Sequence, residues 1–406
     1  MGFFMVEKTD AKKSKYIVVF QICVIATTVL GGNATYYTLS KLIMFLFFGV
    51  VLIDMFHNRF KISVGVLFEI SVTFVVLEFL SLIWSHNTNL ADSQFMTQIQ
   101  LFALYFFVYQ VISKHGEIED YIIAIYLSGL CMIVFAMLQY GGISNYLNIM
   151  ETGSRLGGEI TNENAFGMVF GNSALCAMYY AILKRKKIHF LSLIPLVFFG
   201  FSSGSKKVVF IICAGFLGLC LIKYGVKRIY KLFLAIVIFI IAIKYVLSLP
   251  IFETVNDRLM SYLSGNTNTS DNARNNMIQF GLELFGNRPI LGYGLQNFRN
   301  FYHSGQYSHN NFVELLVSVG LIGFIIYYLM YLIPVIKIVK NWILKGVADN
   351  QMLMLLLMLI VSLIFGWGMV QFYEKSTWIL LAVAHAFIDR LMLQEKVKDK
   401  VKMNYV

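Results

Sequence analysis

Long apolar runs separated by short polar breaks dominate the chain. Runs of membrane-spanning length lie at about 16–31, 38–56, 62–84, 97–112, 121–140, 163–183, 188–203, 207–223, 229–249, 311–336, 352–373 and 376–393. About 20 apolar residues cross the hydrocarbon core as a helix, the one single segment that satisfies its own backbone there. The pattern predicts an all-α integral membrane protein of about 12 transmembrane helices, with residues 1–406 as a single polytopic domain. The runs 188–203 and 207–223 are short for a full crossing, which points to a broken or re-entrant element. The basic segment Lys8–Lys15 lacks a convincing cleavage site and reads as an uncleaved signal anchor.

Two longer polar stretches interrupt the apolar pattern, at 141–162 and from Pro250 to about Asn310 (250–310). Loops of the second length are usually functional or disordered. Within it, Ser264–Asn276 is polar and is expected to be mobile. Ala273–Phe285 has the spacing of a helix lying along the membrane surface. There is no internal repeat, and no matched pair of Gly/Pro-broken helices of the inverted-repeat transporter kind.

Composition agrees with this reading. Hydrophobic residues make up 58 % of the chain and charged residues 14 %, with a mean hydropathy of +0.70; soluble domains carry about 25 % charge. The net charge of +11 would suit nucleic acid, but its placement argues otherwise. With both termini cytoplasmic, 23 of the 33 Lys and Arg residues fall in inner segments and 8 in outer ones, while Lys41 and Lys244 fall within spans. That is the positive-inside bias: most of the charge orients the chain, and no nucleic-acid partner is expected. The five cysteines lie in apolar runs without metal-ligand spacing and read as small buried hydrophobes.

The outer exceptions are more informative. Lys206 and Lys207 open a span after Ser202-Ser203-Gly204-Ser205, against both the positive-inside preference and the helix dipole, at a few tenths to about 1 kcal/mol each. An anion nearby would offset that cost; snorkelling to lipid headgroups is the alternative. Arg155, Arg258, Arg274, Arg288 and Arg299 are further outer cations suited to phosphate. His309 stands in Ser308-His309-Asn310-Asn311, where Asn311 followed by Glu314 reads as an N-cap with its capping-box partner. No outer carboxylate pair has metal-ligand spacing, so no metal is expected. Glu69, Glu78 and Lys244 are ionisable groups at membrane depth, either functional or explained by internal pairing or an interfacial position.

Several motifs occur in order: Arg274, then Pro289-x-x-Gly292-x-Gly294, His309-Asn310 and Gly320-x-x-Gly323. With Arg155-Leu-Gly-Gly, Asn162-Glu-Asn164 and Ser203-Gly-Ser205-Lys206, they resemble the O-antigen ligase and polymerase superfamily, the Wzy/WaaL-like enzymes of bacterial surface polysaccharide assembly. The resemblance covers roughly residues 150–330. It departs from the family at Lys206, which stands where the family usually has Arg and lacks the bidentate fork.

The resemblance implies a GT-C-like glycosyltransferase with a large extracytoplasmic loop carrying short amphipathic helices. Its site would face the periplasm or cell exterior from the cytoplasmic (inner) membrane. Undecaprenyl-diphosphate-linked oligosaccharides would be its substrates, with no cofactor, and flippase and chain-length regulator proteins its further partners. His309 and Arg274 are the candidate catalytic residues. Lys206, Arg155, Lys207 and Arg288 are the candidate diphosphate ligands. Polymerisation of repeat units into O-antigen, capsule or exopolysaccharide is the leading expectation. The alternatives are transfer of polysaccharide to lipid A–core by a ligase, a lipid-linked sugar flippase, and a non-catalytic scaffold.

Overall fold

The structure, a computed structural model, describes residues 15–59, 61–225, 228–265, 269–346 and 348–403. The basic segment read as a signal anchor lies, up to residue 14, outside the described residues. The helices are α1 (Lys15–Val29), α2 (Tyr37–His57), α3 (Val66–Leu80), α4 (Thr88–His115), α5 (Ile118–Gln139), α6 (Ile143–Glu151), α7 (Glu163–Ile182) and α8 (His189–Ser202). They continue as α9 (Lys206–Tyr224), α10 (Ile229–Leu247), α11 (Glu253–Leu263), α12 (Thr269–Asn287), α13 (Asn297–Phe301), α14 (Asn311–Lys340), α15 (Asn350–Phe365) and α16 (Lys375–Met403).

Each of the twelve apolar runs coincides with a helix. Among the described residues nine helices are long and apolar enough to cross a membrane, and α1, α8 and α15 are shorter apolar helices. Of the two runs read as short, α8 is indeed 14 residues long with Pro195 inside it, whereas α9 reaches 19 residues and qualifies as a span. The other four helices, α6, α11, α12 and α13, fall in the two polar stretches.

Burial follows from side-chain size and polarity. Helix α7 is the most enclosed of the long helices and packs on α5, α8 and α9. Its small residues allow close approach: Gly167 lies against Ser203 and Val208, and Gly171 against Ile211. In contrast α10 is apolar all round and almost wholly exposed, including Phe233, Leu234 and Ile241. A helix apolar on every face and unburied by protein belongs in lipid. An all-α integral membrane protein accounts for both.

Loop contacts sort into two sets. At one end of the bundle Leu156 meets Ser202, His86 meets Tyr293 and Asn311 meets Gly366 through backbone hydrogen bonds. At the other, His115 contacts Asp54, Ser63 contacts Gln110 and Lys184 contacts Glu119. These two sets are the segments that the charge count assigned to the outer and inner faces respectively.

The Pro-x-x-Gly-x-Gly and Gly-x-x-Gly motifs meet as a backbone joint. Helix α14 is broken at Gly320, whose φ is 64° and ψ −167°. The loop 289–294 takes up the backbone groups freed there. Tyr293 N–H donates to Val317 O at 2.7 Å and Gly294 N–H to Ser318 O at 2.9 Å, while Leu321 N–H donates to Pro289 O at 2.8 Å. A methyl group on Gly320 would lie 2.2 Å from Ile290 O, and one on Gly292 2.5 Å from Val317 O. Irregular backbone inside a span is tolerated where protein satisfies it in this way.

Helix α12 covers the expected surface helix but packs on α14. It closes a second small core of Met277, Tyr293, Phe298, Tyr302, Val313 and Val317. Of the segment expected to be mobile, Thr269–Asn276 is helical, and 266–268 lie outside the described residues. Glu69 and Lys244 are exposed near the ends of their helices, which fits an interfacial position. Glu78 is fully buried and accepts from Gln98, and among the described residues no lysine pairs with it. All five cysteines are free thiols; Cys131 is exposed, against the expectation of burial.

Candidate active site

The candidate site begins at the start of α14. The N-cap is Asn310, one residue before the expected Asn311: its side chain accepts from Phe312 N–H at 2.9 Å and Val313 N–H at 3.1 Å. Glu314 accepts from Ser308 N–H at 2.9 Å. The shift frees Asn311, whose side-chain oxygen takes the N–H groups of Gln371 (2.7 Å) and Phe372 (3.0 Å). This lattice fixes His309 between two buried neighbours, in a left-handed conformation at φ 52°. A non-glycine residue there costs of order 1–3 kcal/mol and persists where its surroundings over-determine it.

His309 faces a cavity of about 860 Å³ framed by α1, α2, α4, α5, α7, α15, α16 and the 269–310 region. Beside it lie Lys207 of α9, Arg274 of α12, Arg299 of α13 and Tyr307 of the loop before α14; Lys41 of α2 and Lys375 of α16 line it further round. Glu163 and Glu374 are the acidic residues on its lining, against five Lys and Arg. Leu101, Ile125, Met168, Val361 and Leu380 contribute apolar wall.

Several contacts hold this geometry. Lys207 Nζ donates to Gly368 O at 3.1 Å, and Arg299 Nε to Gly305 O at 3.0 Å. The Tyr307 and His309 rings lie 4.2 Å apart. Burial, with Arg274 and then Lys207 nearby, pushes the His309 imidazole down to about 4, so it is neutral near pH 7. Burial raises the Glu374 carboxyl, while Lys375 and Lys207 pull it back.

The sequence-selected residues do not all converge. His309, Arg274 and Lys207 meet at the cavity. Arg155 stands behind its wall. Its Nε donates to Ser203 O at 2.9 Å and its Nη2 to the Asn164 side chain at 3.1 Å, and Ser205 Oγ reaches the same Asn164 oxygen at 3.0 Å. The Arg-Leu-Gly-Gly, Asn-Glu-Asn and Ser-Gly-Ser-Lys elements are thereby tied together. Burial and Arg258 lower the Arg155 guanidinium's affinity for its proton, with Arg274 adding to the effect. Lys206 is not on the cavity lining: its ammonium sits 4.4 Å from the Tyr262 ring centroid. Arg288 is exposed, with its guanidinium 4.9 Å from the Tyr293 ring centroid. Neither of these two side chains is on the cavity lining.

Lys41, Lys375, Tyr307 and Glu374 were not singled out from the sequence, and Arg299 was named only among the outer cations suited to phosphate. The one available signal was charge: Lys375 and Arg299 belong to the outer minority, and Lys41 lies within five residues of the start of α2.

No curated protein matches the chain. Residues 190–328 match the family model described as O-Antigen ligase (Wzy_C), a range that contains Lys207, Arg274, His309 and the glycine joint. This match supports the resemblance to the O-antigen ligase and polymerase superfamily.

Proposed function

We propose that the protein is a lipid-linked repeat-unit polymerase, a glycosyltransferase of the cytoplasmic membrane. Both termini lie in the cytoplasm and the site opens to the opposite side, in a GT-C-like bundle of twelve crossings. The observation that carries this reading is the meeting of Lys207, Arg274 and His309 on one cation-rich cavity with apolar walls, within the segment that matches the family.

In the proposed reaction, an acceptor hydroxyl oxygen attacks the anomeric carbon of a donor sugar. The bond from that carbon to the phosphate oxygen breaks, and undecaprenyl diphosphate leaves with the electron pair. Arg274 and Lys207 stabilise the charge that develops on the diphosphate, an effect strengthened where water is excluded. Arg155 holds the Ser203–Ser205 turn from which Lys207 projects. His309 takes the hydroxyl proton as general base. The diphosphate itself tunes this step: its negative charge offsets Arg274 and Lys207, so His309 becomes a stronger base once donor is bound. Positive charge comes from side chains, so no metal is invoked.

The description attached to the matching family favours one second reading, transfer of polysaccharide to lipid A–core by a ligase. Gel analysis of lipopolysaccharide from a deletion strain separates the two. Loss of a polymerase leaves single-repeat caps; loss of a ligase leaves free lipid-linked polymer. Flippase and chain-length regulator proteins remain the expected partners of the polymerase. The direct test is Arg274→Ala or His309→Ala with membrane expression confirmed: unchanged polymer yield and length would sink the assignment.

A further inference from the structure

The mechanism above uses the cations beside His309 and leaves Lys41 and Lys375 on the same cavity unexplained. The Lys41 ammonium lies 4.5 Å and the Lys375 ammonium 4.9 Å from the centroid of the same ring, Tyr37. Two like charges on one ring repel each other, and the ring's attraction is worth only about 0.5–2 kcal/mol per cation. Among the described residues neither lysine has a hydrogen bond or an ion pair. Glu374, the nearby acid, is shared electrostatically between Lys375 and Lys207. The two ammoniums gather at Tyr37, whereas the His309 ring lies against Tyr307.

The surroundings indicate what kind of anion would fit. Helices α2 and α4 meet at the end bearing the predicted inner loops, where Phe48 stacks on Phe107 at 4.4 Å and Asp54 reaches His115 at 3.1 Å. Towards the other end, Lys41 and Met44 of α2 and Thr97, Leu101 and Leu104 of α4 line the cavity instead. The space between the two helices thus joins a pair of cations to an apolar wall. That combination suits a lipid with a multiply charged phosphate head.

We propose that Lys41 and Lys375, together with Tyr37, hold the diphosphate of a second lipid-linked substrate, the acceptor, while Arg274 and Lys207 hold that of the donor. This rests on the glycosyl-transfer reading and deepens it. A polymerase joins two polyprenyl-diphosphate substrates, so it needs two such subsites in one cavity; a ligase using lipid A–core needs one.

The test is native mass spectrometry of the full chain in phosphatidylcholine nanodiscs titrated with undecaprenyl diphosphate. Two molecules per chain are expected for the wild type, and one for K41A/K375A. The charge-preserving K41R/K375R should keep two, and the single variants K41A and K375A serve in place of the double one should it not fold. Two molecules retained after removal of the lysine charge, or one in the wild type, would overturn the proposal. Repeating the titration in phosphatidylglycerol nanodiscs separates the sources of phosphate: retention of both molecules supports the diphosphate, and loss of one identifies a phospholipid-headgroup site instead.

Turnover supplies the second readout, with KM for the acceptor repeat unit expected to rise at least tenfold in K41A/K375A. An inactive wild type that still binds two molecules would refute the glycosyl-transfer reading while leaving the two-site occupancy standing. An active wild type matched by K41A/K375A in KM and occupancy would refute this inference alone.

Discussion

The two ends of the helix bundle treat charge in opposite ways. At the end bearing the predicted inner loops, Asp54 meets His115 at 3.1 Å and Lys114 at 4.0 Å, and Lys184 pairs with Glu119 at 3.0 Å. Asp389 accepts from Leu67 N–H, Phe68 N–H and the Tyr109 hydroxyl. Arg390 donates to the carbonyls of Ile112 and Gly116. Charge there is consumed by partners and helix ends. At the other end, five Lys and Arg line one cavity with two acids, and His309 is held in a left-handed conformation beside them. Paired charge anchors and orients a helix; an excess of one sign around a cavity is available to a ligand. The comparison supports placing the proposed site at the end where cations outnumber acids.

The sharpest way to break this comparison is to remove cations from the cavity. Arg274→Ala should lower kcat about 10²–10³-fold, the scale seen when a preorganised electrostatic partner is lost, measured as undecaprenyl diphosphate released per folded protein. Next in size is Gly320→Ala. Its added methyl group would meet Ile290 O in a backbone conformation that alanine resists, so a stability loss of about 2 kcal/mol or more is expected. Thermal unfolding in detergent checks it.

A subtler test reads the electrostatics of the corner. The proposed mechanism requires His309 as the neutral base, and burial with Arg274 and Lys207 nearby pushes its imidazole down to about 4. The acid limb of kcat/KM should therefore fall near pH 4 rather than near the ordinary histidine value of about 6.5. Removing a neighbouring cation with Lys207→Met relieves the repulsion of His309's protonated form, so the limb should move upward; a pH–rate profile of both proteins decides. The smallest effect belongs to the paired end. Lys184→Ala should cost no more than about 1 kcal/mol of stability and leave turnover unchanged. A large loss of activity there would dissolve the contrast between the ends.

Much of the fold was legible because membrane helices advertise themselves. Each apolar run became a helix. The cavity was harder to read, for physical reasons. Lys206 and Lys207 are adjacent in sequence, but successive helical residues point about 100° apart, so one reaches the cavity and its neighbour lies against Tyr262. The sequence pair alone could not say which. Asn310 rather than Asn311 caps α14 because Asn311 is drawn to the backbone of Gln371 and Phe372, a tertiary contact 60 residues away in the chain. Lys41 and Lys375 come together only when the fold brings the first residue of α16 to the Tyr37 ring at the start of α2. The glycine motifs were visible as motifs, yet their role as a backbone joint at Gly320 needed the fold.

The most direct measurement is turnover of purified protein with lipid-linked repeat units, comparing the wild type with Arg274→Ala. The account predicts a ladder of longer chains and stoichiometric release of undecaprenyl diphosphate by the wild type, both lost in the variant although it remains folded. Equal ladders from the two proteins, or no transfer by the wild type, would contradict it.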